Sequence, residues 1–146
     1  MDSILNREDR EALAARLRLL SPDHKPLWGK LTASKMLCHL ADQVAVALGD
    51  IPAKSVGNCF SHKITKLFVV YLRMPTPKGR VMTVPEMLTT EPSLWRSDMD
   101  RLLNLITRLA DTEAVSPHPA FGALTHHQWG SVTARHIDHH LRQFGV

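Results

Sequence analysis

Apolar residues return every three or four positions in four or five stretches of this chain, while the alternating period of a β-strand is weak everywhere. That spacing predicts an all-α fold. A first helix is expected over 5–20, with Leu13, Leu17 and Leu20 on one side and Arg10, Arg16 and Arg18 elsewhere, ended by Ser21-Pro22-Asp23. The second opens after Thr32, whose hydroxyl suits an N-cap, carries Met36, Leu37, Leu40, Val44, Ala47 and Leu48, and stops at Gly49. Residues 50–57 read as a loop. A shorter apolar helix fits 59–72, where Ile64, Leu67, Phe68 and Tyr71 share a face.

Residues 74–92 break this rhythm with Pro75, Pro77, Pro85, Pro92 and Gly79. They read as a long structured loop, the kind that serves as a lid or a crossover. A further long helix is expected over 93–110, its apolar side made of Leu94, Trp95, Met99, Leu102, Leu103, Ile106 and Leu109. A second proline-containing loop over 116–122 leads to the last helix. Thr125 and Gln128 there have the spacing of a capping box, and the helix should end near Phe144 and Gly145.

A chain of 146 residues fits one domain, 1–146, with a real core. Hydrophobic residues at 44% and charged residues at 22% are ordinary for a globular protein. No basic-then-apolar leader and no run near the ~20 apolar residues of a membrane span is visible, so a cytoplasmic protein without a membrane partner is expected. Cys38 and Cys59 fall in no CxxC arrangement and read as buried thiols. A net charge of +4 would help attract an anionic ligand, but Lys and Arg are scattered and not interleaved with aromatics, which argues against nucleic acid.

The histidines change the picture. His136 and His140 are four residues apart in the last helix, so both imidazoles leave the same side of it. At about 100° per residue, Ile137, Gly130, Ala134, Leu141 and Phe144 mark the core side and Arg135, Asp138, Arg142, Ser131 and His139 the far side. His140 then lies about 60° and His136 about 100° from Ile137, with Trp129 and Thr133 in the same stripe. On the second helix, Met36, Ala33, Val44 and Ala47 lie with Leu40, while Lys35 and Asp42 lie on the polar side. His39 and Gln43 fall about 100° and 60° from Leu40, so the two helices carry their histidines at comparable places. If they pack side by side, one histidine faces two, which suits a divalent metal with an open position. The plainer reading is that each is a half-buried histidine bonded to a carbonyl or carboxylate. His118, His126 and His127 read as loop and helix-start residues. Cys38 projects about 100° from His39 and makes a poor fourth ligand. No Glu-x-x-His or His-Glu-x-x-His occurs, which argues against a di-iron bundle or a zincin.

The segments Trp28 to Leu40, His118 to Leu124, Trp129-Gly130 and His136 to Gly145, closing in His-x-x-His-His-x-x-Gln-Phe-Gly, resemble the DUF1569 family of the DinB/YfiT-like superfamily of metal-dependent enzymes. The likeness covers almost the whole chain, Pro77-Lys78-Gly79 and Pro85-Glu86 included. It implies a four-helix bundle of up-down-down-up order with a long crossover, here holding an extra short helix. It also implies a metal held by one histidine of the second helix and an HxxxH pair of the fourth, which map onto His39, His136 and His140.

Two readings of function follow. One is a metal-dependent enzyme with zinc or nickel as the divalent ion and a small-molecule substrate. The resemblance points first to a thiol-dependent S-transferase with a low-molecular-weight thiol as cosubstrate, then to a metal-dependent hydrolase. Gln43, Asp42, Trp129 and Thr133 are the outer or pocket candidates, with Asp42, near one turn from His39, placed to orient its imidazole. The other is a non-catalytic bundle that binds metal or a small ligand, or forms a homodimer, as a sensor or stress protein. The loop over 74–92 is expected to pack near the mouth of the site.

Overall fold

The protein is described here by a computed structural model, covering residues 2–57, 59–71 and 84–146. Among the described residues it is all-helical, with α1 at Arg7–Leu17, α2 at Ala33–Leu48, α3 at Cys59–Lys66, α4 at Trp95–Asp111 and α5 at His126–Gln143. Leu67–Tyr71 continues α3 as a π-helical turn, and Pro85–Leu88 forms a 3₁₀ turn. No helix is long and apolar enough to cross a membrane among the described residues.

The helix ends follow local chemistry. Thr32 caps α2 by accepting from the Lys35 amide, and Gly49 closes it in the left-handed region at φ 79°. Thr125 and Gln128 form the expected capping box at α5. Asn6 caps α1 by accepting from the Asp9 amide, so that helix starts two residues later than its apolar spacing suggests and stops at Leu17.

Three pairs of contacts fix helix direction. Asp42 meets Arg101 at 3.1 Å and Asp50 meets Arg108 at 2.6 Å, so α4 runs in the same direction as α2. His39 faces His136 while Gln43, one turn further on, faces Thr133, so α5 runs opposite to α2. The Ile4 amide donates to the Gly130 carbonyl and Arg16 reaches Asp138, so α1 runs with α5.

Helix α2 is enclosed on every side: each residue from Met36 to Ala47 is buried. Asp42 belongs to that set, at 0% exposure, although its place on the helix reads as polar and solvated. The loop after Val84 and Arg101 of α4 cover it. One other expectation fails. Leu94 precedes α4 as its N-cap and is 76% exposed, whereas Met99, Leu102, Ile106 and Leu109 form the buried face. In the α3 region Ile64, Leu67 and Tyr71 of the expected apolar face are exposed.

Candidate metal centre

His39 is on the buried α2, and His136 and His140 stack one turn apart on α5. The expected juxtaposition is present: the ligand-type atoms of His39, His136 and His140 all lie within 4.8 Å of one another. The Nε2 atoms of His39 and His140 each stand 3.1 Å from Nε2 of His136. His39 and His140 are buried, and His136 keeps part of its surface exposed.

The outer nitrogens decide what these inner atoms can be. His39 Nδ1 lies 2.8 Å from the Met87 carbonyl, which can only accept, so Nδ1 carries the proton and Nε2 a bare lone pair. His140 Nδ1 lies 2.7 Å from Gln143 Oε1, and the Gln143 amide nitrogen donates to the Trp28 carbonyl at 2.6 Å. That second bond fixes the amide so that its oxygen faces His140, again leaving Nε2 bare. His136 can offer one Nε2–H to one of these two lone pairs; the other lone pair then faces that same nitrogen with no proton between them. His136 Nδ1 is buried without a hydrogen-bond partner among the described residues. Neutral rings thus leave one of the two inner lone pairs without a proton, whereas a cation would be shared by all three Nε2 atoms, with His136 Nδ1 then carrying its proton and finding no acceptor among the described residues. Ligands at the 2.0–2.1 Å of zinc–imidazole bonds stand about 3.3 Å apart in a tetrahedral site, close to the two 3.1 Å contacts of His136, while His39 and His140 lie within 4.8 Å of each other.

Electrostatics agree. Burial pushes the His140 imidazole down to about 3, with His39 beside it adding to the fall. His136 is held well below its ordinary value by burial and then by His140 and His39. Burial lowers His39 as well, against the Met87 carbonyl and the charge of Asp42. All three are therefore neutral near pH 7, the state in which imidazole binds a metal.

The other candidates fall into place unequally. Asp42 does not orient His39 directly. Its carboxylate accepts from the Thr89 hydroxyl, the Thr90 amide and hydroxyl, and Arg101. Burial alone would raise it, but the Thr90, Arg101 and Thr89 bonds prevail and hold it below the ordinary carboxylate range. Gln43 donates to the Thr133 hydroxyl at 3.4 Å, and its buried Oε1 has no partner among the described residues. Trp129 is wholly buried, and its indole N–H goes to the Ser116 carbonyl at 2.7 Å with His118 packed on its ring. Its described contacts are with the 116–121 loop. Cys38 is 2% exposed and its thiol is pushed up to about 11, first by burial and then by Asp98. His139 lies edge-on to Trp28, at 6.0 Å between ring centres.

The spacing of residues missed three groups that support the cluster: Gln143 and the carbonyls of Met87 and Trp28. Gln143, three residues after His140, shares its helix face and so was within reach of the same periodicity. Backbone carbonyls leave no such trace. The loop over 74–92 reaches the site through Met87, as expected for its described part, while residues 74–83 lie outside the described residues.

A family model described as "Protein of unknown function (DUF1569)" matches residues 4–145. The chain belongs to the DUF1569 family. Neither the curated proteins nor the solved structures give a match to it. Within this DUF1569 protein the three histidines and Gln143 occupy the closing His-x-x-His-His-x-x-Gln segment together with α2, so the family match spans every residue of the cluster.

Proposed function

We propose that this DUF1569 protein is a metal-dependent enzyme built as a DinB/YfiT-like four-helix bundle, with His39, His136 and His140 as the ligands. The directions of α1, α2, α4 and α5 support the up-down-down-up order, and residues 50–92 are long enough for the crossover that two parallel neighbours require. The observation that carries the reading is the meeting of three Nε2 atoms at 3.1 Å contacts while two of the three rings spend their Nδ1 protons on fixed oxygens.

A divalent ion there, zinc or nickel, would supply the Lewis acidity that brings the pKa of a bound water or thiol toward neutrality. The chain's own part is to hold neutral imidazoles in place and to keep water from the buried faces of His39 and His140. Gln43 Oε1, one turn from His39, is buried without a donor among the described residues, an unmet acceptor on the bundle's inner face. Cys38 is buried and high in pKa, which makes it unfit as the nucleophile. In this reading the nucleophile comes from outside, with a low-molecular-weight thiol attacking an electrophilic small molecule as the first reaction and hydrolysis by water second. This reading takes the protein as cytoplasmic, with room for a homodimer and no nucleic-acid partner.

The second reading, a non-catalytic metal- or small-ligand-binding bundle, is favoured by one feature: among the described residues no carboxylate joins the three-histidine cluster as a general base. Loading the purified chain with zinc or nickel, followed by metal analysis and a screen of thiols against electrophiles, separates the two. About one ion per chain with thiol-dependent turnover supports the enzyme. One ion without turnover supports a metal-binding bundle, and no ion overturns the metal-dependent enzyme and favours the small-ligand bundle.

A further inference from the structure

We propose that Asp42 is a positioning residue for the metal centre that works at one remove, by pinning residues 89–90 so that the Met87 carbonyl stays on His39. The inference rests on the three-histidine reading above. His39 and Asp42 are three residues apart on α2 and so share a face. The segment after Val84 runs across that face, and its own spacing matches: Met87 meets His39, and Thr89 and Thr90 meet Asp42.

The bonds are made at both ends. Asp42 accepts from Thr89 Oγ1 at 3.2 Å, the Thr90 amide at 2.9 Å and Thr90 Oγ1 at 2.5 Å, with Arg101 at 3.1 Å. Met87 O, at 2.8 Å from His39 Nδ1, belongs to the last turn of the short Pro85–Leu88 helix, where carbonyls lack an intrahelical partner. A turn this short has little hold of its own. Its flanking polar ties, Lys54 to Glu86 and Lys35 to Glu91, are exposed and weak, whereas the Asp42 carboxylate is buried. A fully buried carboxylate is costly to keep unless its bonds are needed for placement. Here they place the acceptor that fixes the His39 tautomer and ring, which is how an outer partner tunes a metal ligand.

The test compares wild type with Asp42→Asn and Thr90→Val, the latter approaching the same bonds from the loop side. Imidazole N–H signals are read by NMR in metal-free protein, and zinc affinity is read by chelator competition. Wild type should show protected Nδ1–H signals for His39 and His140. Both variants should lose that of His39, keep that of His140, and bind zinc about 10–100-fold more weakly. If Asp42→Asn does not fold, Thr90→Val decides. A protected His39 signal in the variants, or unchanged zinc affinity, overturns the proposal, and weaker zinc with that signal intact assigns Asp42 a purely electrostatic effect and overturns it too. Wild type that binds no zinc sinks the three-histidine reading itself, which is a distinguishable failure.

Discussion

Gln143 accepts the Nδ1 proton of His140 at 2.7 Å while its amide nitrogen is anchored on the Trp28 carbonyl at 2.6 Å. The 27–29 segment thus does for His140 what the 87–90 segment does for His39. Gly29, at φ 80°, is the residue beside this bond, and a Cβ there would stand 2.7 Å from Gln143 Nε2. Gly29→Ala should cost about 1–3 kcal/mol through the left-handed backbone and also weaken zinc binding by displacing the amide. Gln143→Leu should weaken zinc about 10–100-fold with a smaller effect on folding. Chelator competition and thermal melts read both, and unchanged zinc affinity in Gln143→Leu would show that the relay is only a packing contact.

Metal should follow the inward histidines only. His136→Ala removes the ring that both other Nε2 atoms face, so metal content should fall from about one ion per chain to near zero. His139→Ala removes a ring engaged with Trp28 and should leave metal in place. Equal loss in both variants would refute the ligand assignment.

How far the sequence reaches is seen in Thr32, Gly49 and Thr125. Each acts through its own backbone neighbourhood, and each helix end lies where its residue type places it. The facing of His39 toward His136 and His140 was also legible, because it depends on two helical periods and one packing. Asp42 and Leu94 were not. Burial of Asp42 depends on Thr89 and Thr90, which are distant in sequence, and exposure of Leu94 depends on α4 starting after it. The Met87 carbonyl has no residue-type signature, since any amino acid supplies the same acceptor.

Acid should destabilise the protein through His118. Its ring stacks on Phe121, its Nδ1 accepts from the Ala120 amide, and burial, with His62 nearby, pushes it down to about 3. The unfolded chain therefore binds the extra proton first. Stability is fully present above the ordinary value of 6.5 and declines as pH falls from there toward about 3. His118→Asn keeps an acceptor for the Ala120 amide and removes the titration. Urea unfolding of metal-free protein at pH 7 and pH 5 should show a stability drop smaller by about 2 kcal/mol in the variant. Although the metal-free ligand histidines titrate in the same sense, the difference between the two proteins isolates His118. Parallel pH profiles would count against a buried neutral His118.

Gly130→Ala should reverse the usual sign of such a change. In an open helix the substitution gains up to about 1 kcal/mol. Here a Cβ would lie 2.6 Å from Ser3 Oγ and 2.7 Å from Leu5 Cγ, where the N-terminal segment crosses α5 and the Ile4 amide bonds the Gly130 carbonyl. A loss of about 1–3 kcal/mol is expected in chemical denaturation. A stabilised variant would mean that residues 3–5 do not dock on α5 in solution.

Turnover should require both a divalent metal and an added low-molecular-weight thiol. Among the described residues no prepared nucleophile stands at the cluster: Cys38 is buried, its thiol raised by burial and then by Asp98 and Asp42, and no carboxylate joins the three histidines. A thiol brought to the three-histidine site can lose its proton near neutral pH only with the ion's help, since each neutral ring that gives Nε2 to the ion carries its proton on Nδ1 and keeps no free lone pair to act as base. Cys38→Ala should therefore retain activity, while His140→Ala should lose activity and metal together. Activity with metal but without thiol would move the reaction to hydrolysis by water. Loss of activity in Cys38→Ala with metal and fold intact would instead make the protein's own thiol the nucleophile, against the burial that surrounds it.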